Sequence, residues 1–129
     1  MNDPLTDRAA VAPAATALID ADRDERWSVA DLDSAVERVA GRLAALGVRA
    51  GDRLGVCLPT RPAAVQVIHA AVRLGAVLVP LGTRLTPDEL AARLDRAAVT
   101  TLVCDATTAA DATAANAAAG DDAPVPVVS

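Results

Sequence analysis

Four short apolar runs begin near positions 53, 77, 101 and 125, each 24 residues after the one before. They read RLGVCL from Arg53 to Leu58, VLVPL from Val77 to Leu81, TLVC from Thr101 to Cys104, and VPVV from Val125 to Val128. Helical segments lie between them. Pro62–Leu74 is closed by Gly75, and Pro87–Ala97 is opened by Thr86 as cap with Pro87 in the first turn. An Ala-rich stretch follows Cys104. A helix between two strands carries the chain back to the end of the sheet where it started, so successive strands run parallel with helices on both faces. The order of elements recurs but the residues do not, so this is not a sequence repeat. VLVPL is apolar without alternation, which predicts a strand covered on both faces. The cadence points to an α/β fold with a mostly parallel, doubly wound sheet.

The residues ahead of this rhythm are organised differently. Pro4 and Pro13 bracket a short Ala-rich helix and connector. Thr16–Ile19, a polar run from Asp20 to Arg26, and Trp27–Val29 form a hairpin with a charged turn, and that run is read as a solvated turn instead of an acidic site. Ser28 then caps a helix, with Asp31 where a capping-box acid belongs. Leu32, Ala35, Val36, Val39, Leu43 and Leu46 recur at helical spacing on one face, and Gly47 ends the helix where a left-handed residue is wanted.

Composition narrows the function classes. The 129 residues include 32 Ala, 16 Val and 14 Leu but no Phe or Tyr, so a core must be built from small and branched side chains. All 12 basic residues are Arg, against 14 Asp and 3 Glu, for a net charge of −5. That balance carries no electrostatic footprint for nucleic acid and none for an anionic membrane surface. Asp excess without Lys fits adaptation to a salt-rich cytoplasm, and equally the codon bias of a GC-rich genome. The absence of Lys removes Schiff-base chemistry and the lysine of a phosphate-binding loop from these residues.

The N-terminus, with Asp3, Asp7 and Arg8, is unlike a signal peptide. The longest apolar candidate for a membrane span, Val65 to Leu81, is broken by Gln66, His69 and Arg73. Cys57 and Cys104 sit in strand-like runs and are expected to be buried thiols, not a disulfide, in a cytoplasmic protein.

No constellation for catalysis emerges from the residues. His69 is the one histidine, placed on a helix without partners in sequence, and is expected to be packing or surface. Trp27 is expected to be a packing anchor. Asp31 and Asp33, two apart on a helix, do not face each other. Asp88 and Glu89 favour the first turn of their helix through its dipole. Gly47, Gly51 and Gly55 precede or enter a strand instead of opening a helix, so a dinucleotide-binding reading fails on context. No Gly-x-Ser-x-Gly or Cys/His cluster is present. No catalytic, cofactor-binding or metal residue is therefore assigned.

Two longer stretches carry a resemblance. LGVRAGDRLGVCLPTRP (Leu46 to Pro62), led by the helix capped at SVADL (Ser28 to Leu32), and RLGAVLVPLGTRLTPDELAARL (Arg73 to Leu94) together resemble the N-terminal region of the adenylate-forming, AMP-binding enzymes, the acyl-CoA synthetases and ligases. The likeness covers roughly Leu5 to Cys104 and is closest to the o-succinylbenzoate–CoA ligases of salt-loving archaea, which serve menaquinone biosynthesis. The resemblance implies a partial doubly wound sheet, the N-terminal subdomain of that fold. Residues 1–129 would be the truncated N-terminal part of the ligase domain: a hairpin at 15–29, core α/β units at 30–104, and an Ala-rich helix with a terminal strand at 105–129.

The resemblance also implies ATP-dependent activation of a carboxylate as an acyl-adenylate, followed by thioester formation with coenzyme A. ATP, Mg²⁺ and CoA serve the full-length enzyme. Its phosphate loop and catalytic Lys have no counterpart in this sequence, so what transfers is scaffold: Gly51 and Asp52 before a strand, Gly75 closing a helix, and Arg84 to Leu90 starting another. Two readings follow. In the first, the chain is an N-terminal ligase piece, inactive alone, whose partner is the remainder of the ligase. In the second, it is a non-catalytic α/β interaction module of the same ancestry.

Overall fold

The computed structural model describes residues 3–119 and 125–128. Helix α1 (Pro4–Val11) is capped by Asp3, whose carboxylate accepts from the Leu5 amide at 3.0 Å, and it buries Leu5. Strands β1 (Thr16–Asp20) and β2 (Glu25–Ser28) form an antiparallel hairpin. Val29, expected to close the second strand, is instead the first residue of helix α2 (Val29–Ala45). The reason is the capping box: Ser28 Oγ accepts from the Asp31 amide and Asp31 Oδ2 from the Ser28 amide, both at 3.0 Å. Leu32, Ala35, Val36, Ala40 and Leu43 are buried, whereas Leu46, expected on the same face, is 60% exposed. It lies past the last helical turn, at the cap position.

The four predicted parallel strands are β3 (Arg53–Cys57), β4 (Val77–Pro80), β5 (Thr101–Cys104) and β6 (Val125–Val128). They lie in the order β4-β3-β5-β6 and all pairings are parallel. The 24-residue cadence reappears as register, Arg53 opposite Val77 and Thr101 opposite Val125. Helix α3 (Pro62–Leu74) joins β3 to β4, α4 (Pro87–Arg96) joins β4 to β5, and α5 (Ala109–Ala119) follows β5. The chain steps first to one side of β3 and then past it to the other, so right-handed connections place α3 on one face and α4 on the opposite face. Two core layers result. One packs α1, α2 and α3 around Leu54, Val56 and Val103; the other packs α4 and α5 around Cys57, Leu102 and Cys104.

Helix ends show how local sequence fixes these turns. After α2, α3 and α4 the chain doubles back through paired hydrogen bonds to the last turn; after α4 these run from Val99 to the Leu94 carbonyl and from Ala98 to that of Asp95, both at 3.0 Å. The pivots after α2 and α3 are Gly47 (φ +100°) and Gly75 (φ +71°), but after α4 the pivot is Ala98 (φ +54°).

Strand β4 corrects one expectation. Leu78 and Val79 touch opposite core layers, yet they are only half-buried and Val77 is 46% exposed, because β4 is the sheet's outer strand. Val77 and Leu81 donate toward β3, to Asp52 and Val56, which puts Pro80 on the outward row where a missing N–H costs no ladder bond. The Ala-rich segment is better packed than its sequence suggests: Ala112 and Ala115 are fully buried beside Cys57, Cys104 and Leu102. Their methyls let α5 lie close on the sheet, so a face of small residues suffices.

A polar clasp ties the first layer together. The Arg73 guanidinium on α3 donates to Asp3 at 2.5 Å, to the Asp33 carboxylate at 2.6 Å and to Thr6 Oγ1 at 3.1 Å. It joins α3 to α2 and to the N-terminal turn of α1.

Candidate functional site

In a doubly wound sheet the ligand crevice opens at the carboxyl ends of the two strands where the winding reverses. Here those strands are β3 and β5, and the crevice lies between the loop 58–61 and the loop 105–108. Pro62 in the first turn of α3 and the short link before it hold Thr60 and Arg61 at the surface, while Asp105 begins a tight turn into α5.

The second loop is fully organised. Asp105 Oδ1 accepts from the Thr107 hydroxyl at 2.6 Å and from the amides of Thr107 and Thr108 at 2.9 and 3.2 Å. Hydrogen bonds led by that of the Thr107 side chain hold the Asp105 carboxyl below the usual carboxylate range, against the opposing pull of burial. Arg61 reaches its other oxygen at 3.7 Å, with the Arg side chain half exposed. Thr108, the sole buried polar residue among those described, donates to the Cys57 carbonyl at 2.8 Å and so ties the β5 loop to the end of β3. Sequence reasoning missed Arg61, Asp105 and Thr108. The Asp-x-Thr-Thr turn was the local signal available, but only the strand order brings it opposite Arg61.

Beside the crevice, a cavity of about 180 Å³ is lined by the hairpin turn (Leu18 to Asp22) and by Thr60, Arg61, Pro62 and Val65. A larger groove, about 410 Å³, lies between β2 and α2 and is lined by Glu25, Arg26, Trp27, Asp31, Ser34 and Arg38. Trp27 is thus half-buried at a groove wall and belongs to neither core layer, contrary to its reading as an anchor.

The other residues weighed in sequence are dispersed. Asp31 is engaged in its cap, Asp33 pairs with Arg73, and Glu89 closes the capping box of α4 with Thr86. His69 is half-buried on α3, with a buried Nδ1 that meets no partner. Cys57 and Cys104 are free thiols, 2% and 0% exposed, as expected. Burial first, and then neighbouring negative charge, pushes both thiols above their ordinary range.

Among the described residues no three His, Cys, Asp or Glu come together as metal ligands. The 180 Å³ cavity is smaller than the roughly 300 Å³ at which small-molecule pockets begin. Among the described residues, that cavity beside the crevice is too small for a nucleoside triphosphate with its magnesium, and the larger groove lies between β2 and α2. No helix among the described residues is long and apolar enough to cross a membrane.

The sheet order and its helical layers define an α/β unit of the kind found at the N-terminus of adenylate-forming enzymes. Residues 5–129 match the family described as AMP-binding enzyme, and the chain belongs to it. It is 35% identical over 86 residues to the long-chain-fatty-acid–CoA ligase FadD13 of Mycobacterium tuberculosis, covering 67% of this chain and 17% of that protein. It is also 35% identical over 99 residues to the 2-succinylbenzoate–CoA ligase of Listeria monocytogenes, covering 77% and 21%.

Among solved structures, the N-terminal domain of FACL13 from Mycobacterium tuberculosis superposes with a TM-score of 0.87 at 28% identity, covering 97% of this chain and 32% of that one. The o-succinylbenzoate coenzyme A synthetase of Bacillus subtilis, in complex with ATP and magnesium ion, gives 0.82 at 28% identity, covering 96% and 32%. The chain spans about a fifth of the length of these two curated ligases.

Proposed function

We propose that these residues form the N-terminal scaffold of an AMP-forming acid–CoA ligase working in the cytoplasm, with ATP, Mg²⁺ and CoA bound by parts of the enzyme that this chain does not supply. The observation that carries the reading is the family match over residues 5–129, joined to named CoA ligases at 35% identity. In the reaction a carboxylate attacks ATP, pyrophosphate leaves, and the thiol of CoA then displaces AMP from the acyl-adenylate. The Bacillus relative, solved with ATP and magnesium ion, supports the nucleotide requirement. We assign no reacting group to this chain. It has no Lys, and Asp105 beside the crevice is engaged through Oδ1 by Thr107 and Thr108. Its partner in the reaction is the rest of the ligase, and the 129 residues alone are inactive.

For the acid, we favour o-succinylbenzoate, and with it menaquinone biosynthesis, over a long-chain fatty acid. Support comes from the Listeria likeness, which extends over 99 residues where the FadD13 likeness extends over 86. The Asp-rich, Lys-free composition supports a salt-rich cytoplasm, as in the salt-loving archaea. Melting the chain across a KCl series tests that point: stability should rise with salt, and a flat response assigns the composition to codon bias.

The function is tested first at the gene. Sequence downstream of the Ser129 codon should encode, in some frame, a Gly-rich loop containing Lys. The chain alone should release no pyrophosphate from ATP with o-succinylbenzoate or dodecanoate, and the restored protein should do so with o-succinylbenzoate. Unrelated downstream sequence, with a cooperatively melting chain that binds no hydrophobic dye, would establish the interaction-module reading instead. Turnover of dodecanoate alone would overturn the choice of acid but not the class.

A further inference from the structure

Cys57 and Cys104 are the only two thiols of the chain, and the sheet sets them side by side. They are register partners on neighbouring parallel strands at the carboxyl ends of β3 and β5, both pointing into the layer beneath α4 and α5. Leu81, Leu90, Leu102, Ala112 and Ala115 share that layer. Among the described residues, the Cys57 thiol donates to the Gly82 carbonyl at 3.8 Å.

Parallel strands lie about 4.8 Å apart. Side chains that leave register positions in the same rotamer keep that separation out to Cβ and Sγ. A disulfide needs Cβ atoms about 3.5–4.5 Å apart and sulfurs at about 2.05 Å, so direct oxidation would have to pinch the two central strands together. Two metal–thiolate bonds of roughly 2.3 Å placed in line span about 4.6 Å, which matches the strand spacing without distortion. Tetrahedral zinc would need further ligands, and no third His, Cys, Asp or Glu joins the pair among the described residues. The layer is apolar, and Asp105 and Asp111 lie close enough to disfavour the thiolate of Cys57. A complex with net negative charge is therefore excluded in favour of a neutral one.

We propose that Cys57 and Cys104 form a two-thiolate site for a soft, linearly coordinating divalent ion, with Hg²⁺ as the probe. The step balances as two thiols plus Hg²⁺ giving one neutral bis-thiolate complex and two protons released to solvent; nothing is oxidised or reduced. Binding bridges β3 to β5 directly beneath the crevice, so a thiophilic metal locks the centre of the sheet.

The experiment uses the intact chain, titrated with HgCl₂ under argon and followed by native mass spectrometry and circular dichroism. The expected product is a monomer carrying one Hg with two hydrogens lost, natively folded, with a raised Tm and no thiol left to label after unfolding. In Cys57→Ala and Cys104→Ala the metal should be stripped by millimolar glutathione at least 100-fold faster than from the parent. Equal retention by either variant would overturn the proposal, as would unfolding of the parent on stoichiometric Hg²⁺. If the variants fail to fold, the parent's stoichiometry and Tm decide alone. Rapid intramolecular disulfide formation in the native parent with dilute hydrogen peroxide would also refute it, because the sulfurs would then sit within bonding reach.

Discussion

Replacing Ala98 by Gly should stabilise this chain, although Gly more often weakens a fold. Ala98 turns the chain after α4 at φ +54°, in the left-handed region where a Cβ crowds the following carbonyl. That conformation costs an L-residue about 1–2 kcal/mol. Its side chain is exposed, so no packing is lost with the methyl, and both reversing hydrogen bonds are made by backbone alone. Against this gain stands the larger entropy of a Gly in the unfolded chain, about 0.4–1 kcal/mol. The net expectation is a stabilisation of about 0.5–1 kcal/mol. Gly47→Ala provides the same term with opposite sign. A Cβ there meets nothing within 4 Å, so strain of about 1–2 kcal/mol at φ +100°, less about 0.4–1 kcal/mol of unfolded-chain entropy, leaves a destabilisation of about 0.5–1 kcal/mol. Urea unfolding with a common m-value is the assay. If Ala98→Gly unfolds at lower urea than the parent while Gly47→Ala is neutral, dihedral strain is not what sets these two turns.

The Arg73 clasp gives a stability loss and a pH signature. Arg73→Met leaves Asp3 and Asp33 without their cation and should cost about 1–2 kcal/mol in urea unfolding, discounted for partial exposure. Burial opposes ionisation of Asp3, but hydrogen bonds from Arg73, the Leu5 amide and Thr6 prevail and hold its carboxyl below the ordinary value. Its contribution is therefore complete above about pH 4 and lost as pH falls through the lower folded value, so Asp3→Asn should flatten the acid limb of a Tm–pH profile. A Cβ at Gly55 would meet Val99, Leu102 and Leu81 side-chain carbons at 3.0, 3.1 and 3.2 Å. Gly55→Ala should thus lower stability by about 1–3 kcal/mol through overpacking, and an unchanged urea midpoint would show that all three side chains give way. Thr108→Val removes the donor to the Cys57 carbonyl and should cost about 1–3 kcal/mol, with faster amide exchange at the end of β3.

Features written within one turn of helix or one strand were legible in the sequence. Ser28 with Asp31 and Thr86 with Glu89 make the capping boxes their spacing announces, and Pro62–Leu74 has its expected bounds because Pro and Gly mark both ends. The register of the two outer pairings follows the 24-residue cadence, whereas β3 and β5 pair with an offset of 47 and not 48. Features requiring residues far apart were not legible. Asp3 meets Arg73 across 70 positions and Thr108 meets Cys57 across 51, and neither pairing has a local signature. The exposure of β4 depends on the order β4-β3-β5-β6, which a run of apolar residues does not encode. Burial of Ala112 and Ala115 was hidden for a related reason: hydrophobic periodicity weighs large side chains, whereas close packing of a helix on a sheet selects small ones.

The crevice at the reversal point is framed by polar contacts that join its two loops. A general base needs a free lone pair and a pKa raised toward neutrality. Asp105 has neither. One oxygen accepts from the Thr107 hydroxyl and two amides, and these bonds lower its pKa instead of raising it, while the other faces Arg61 at 3.7 Å. Thr108 directs its hydroxyl to a strand carbonyl, and the thiols below are held protonated by burial. The Thr108 hydrogen bond and the Arg61–Asp105 pair join the two loops, and the bonds of Asp105 to Thr107 and Thr108 hold the shape of the second. The contribution of this floor is thus the rigidity with which it holds the ends of β3 and β5 together beneath the crevice.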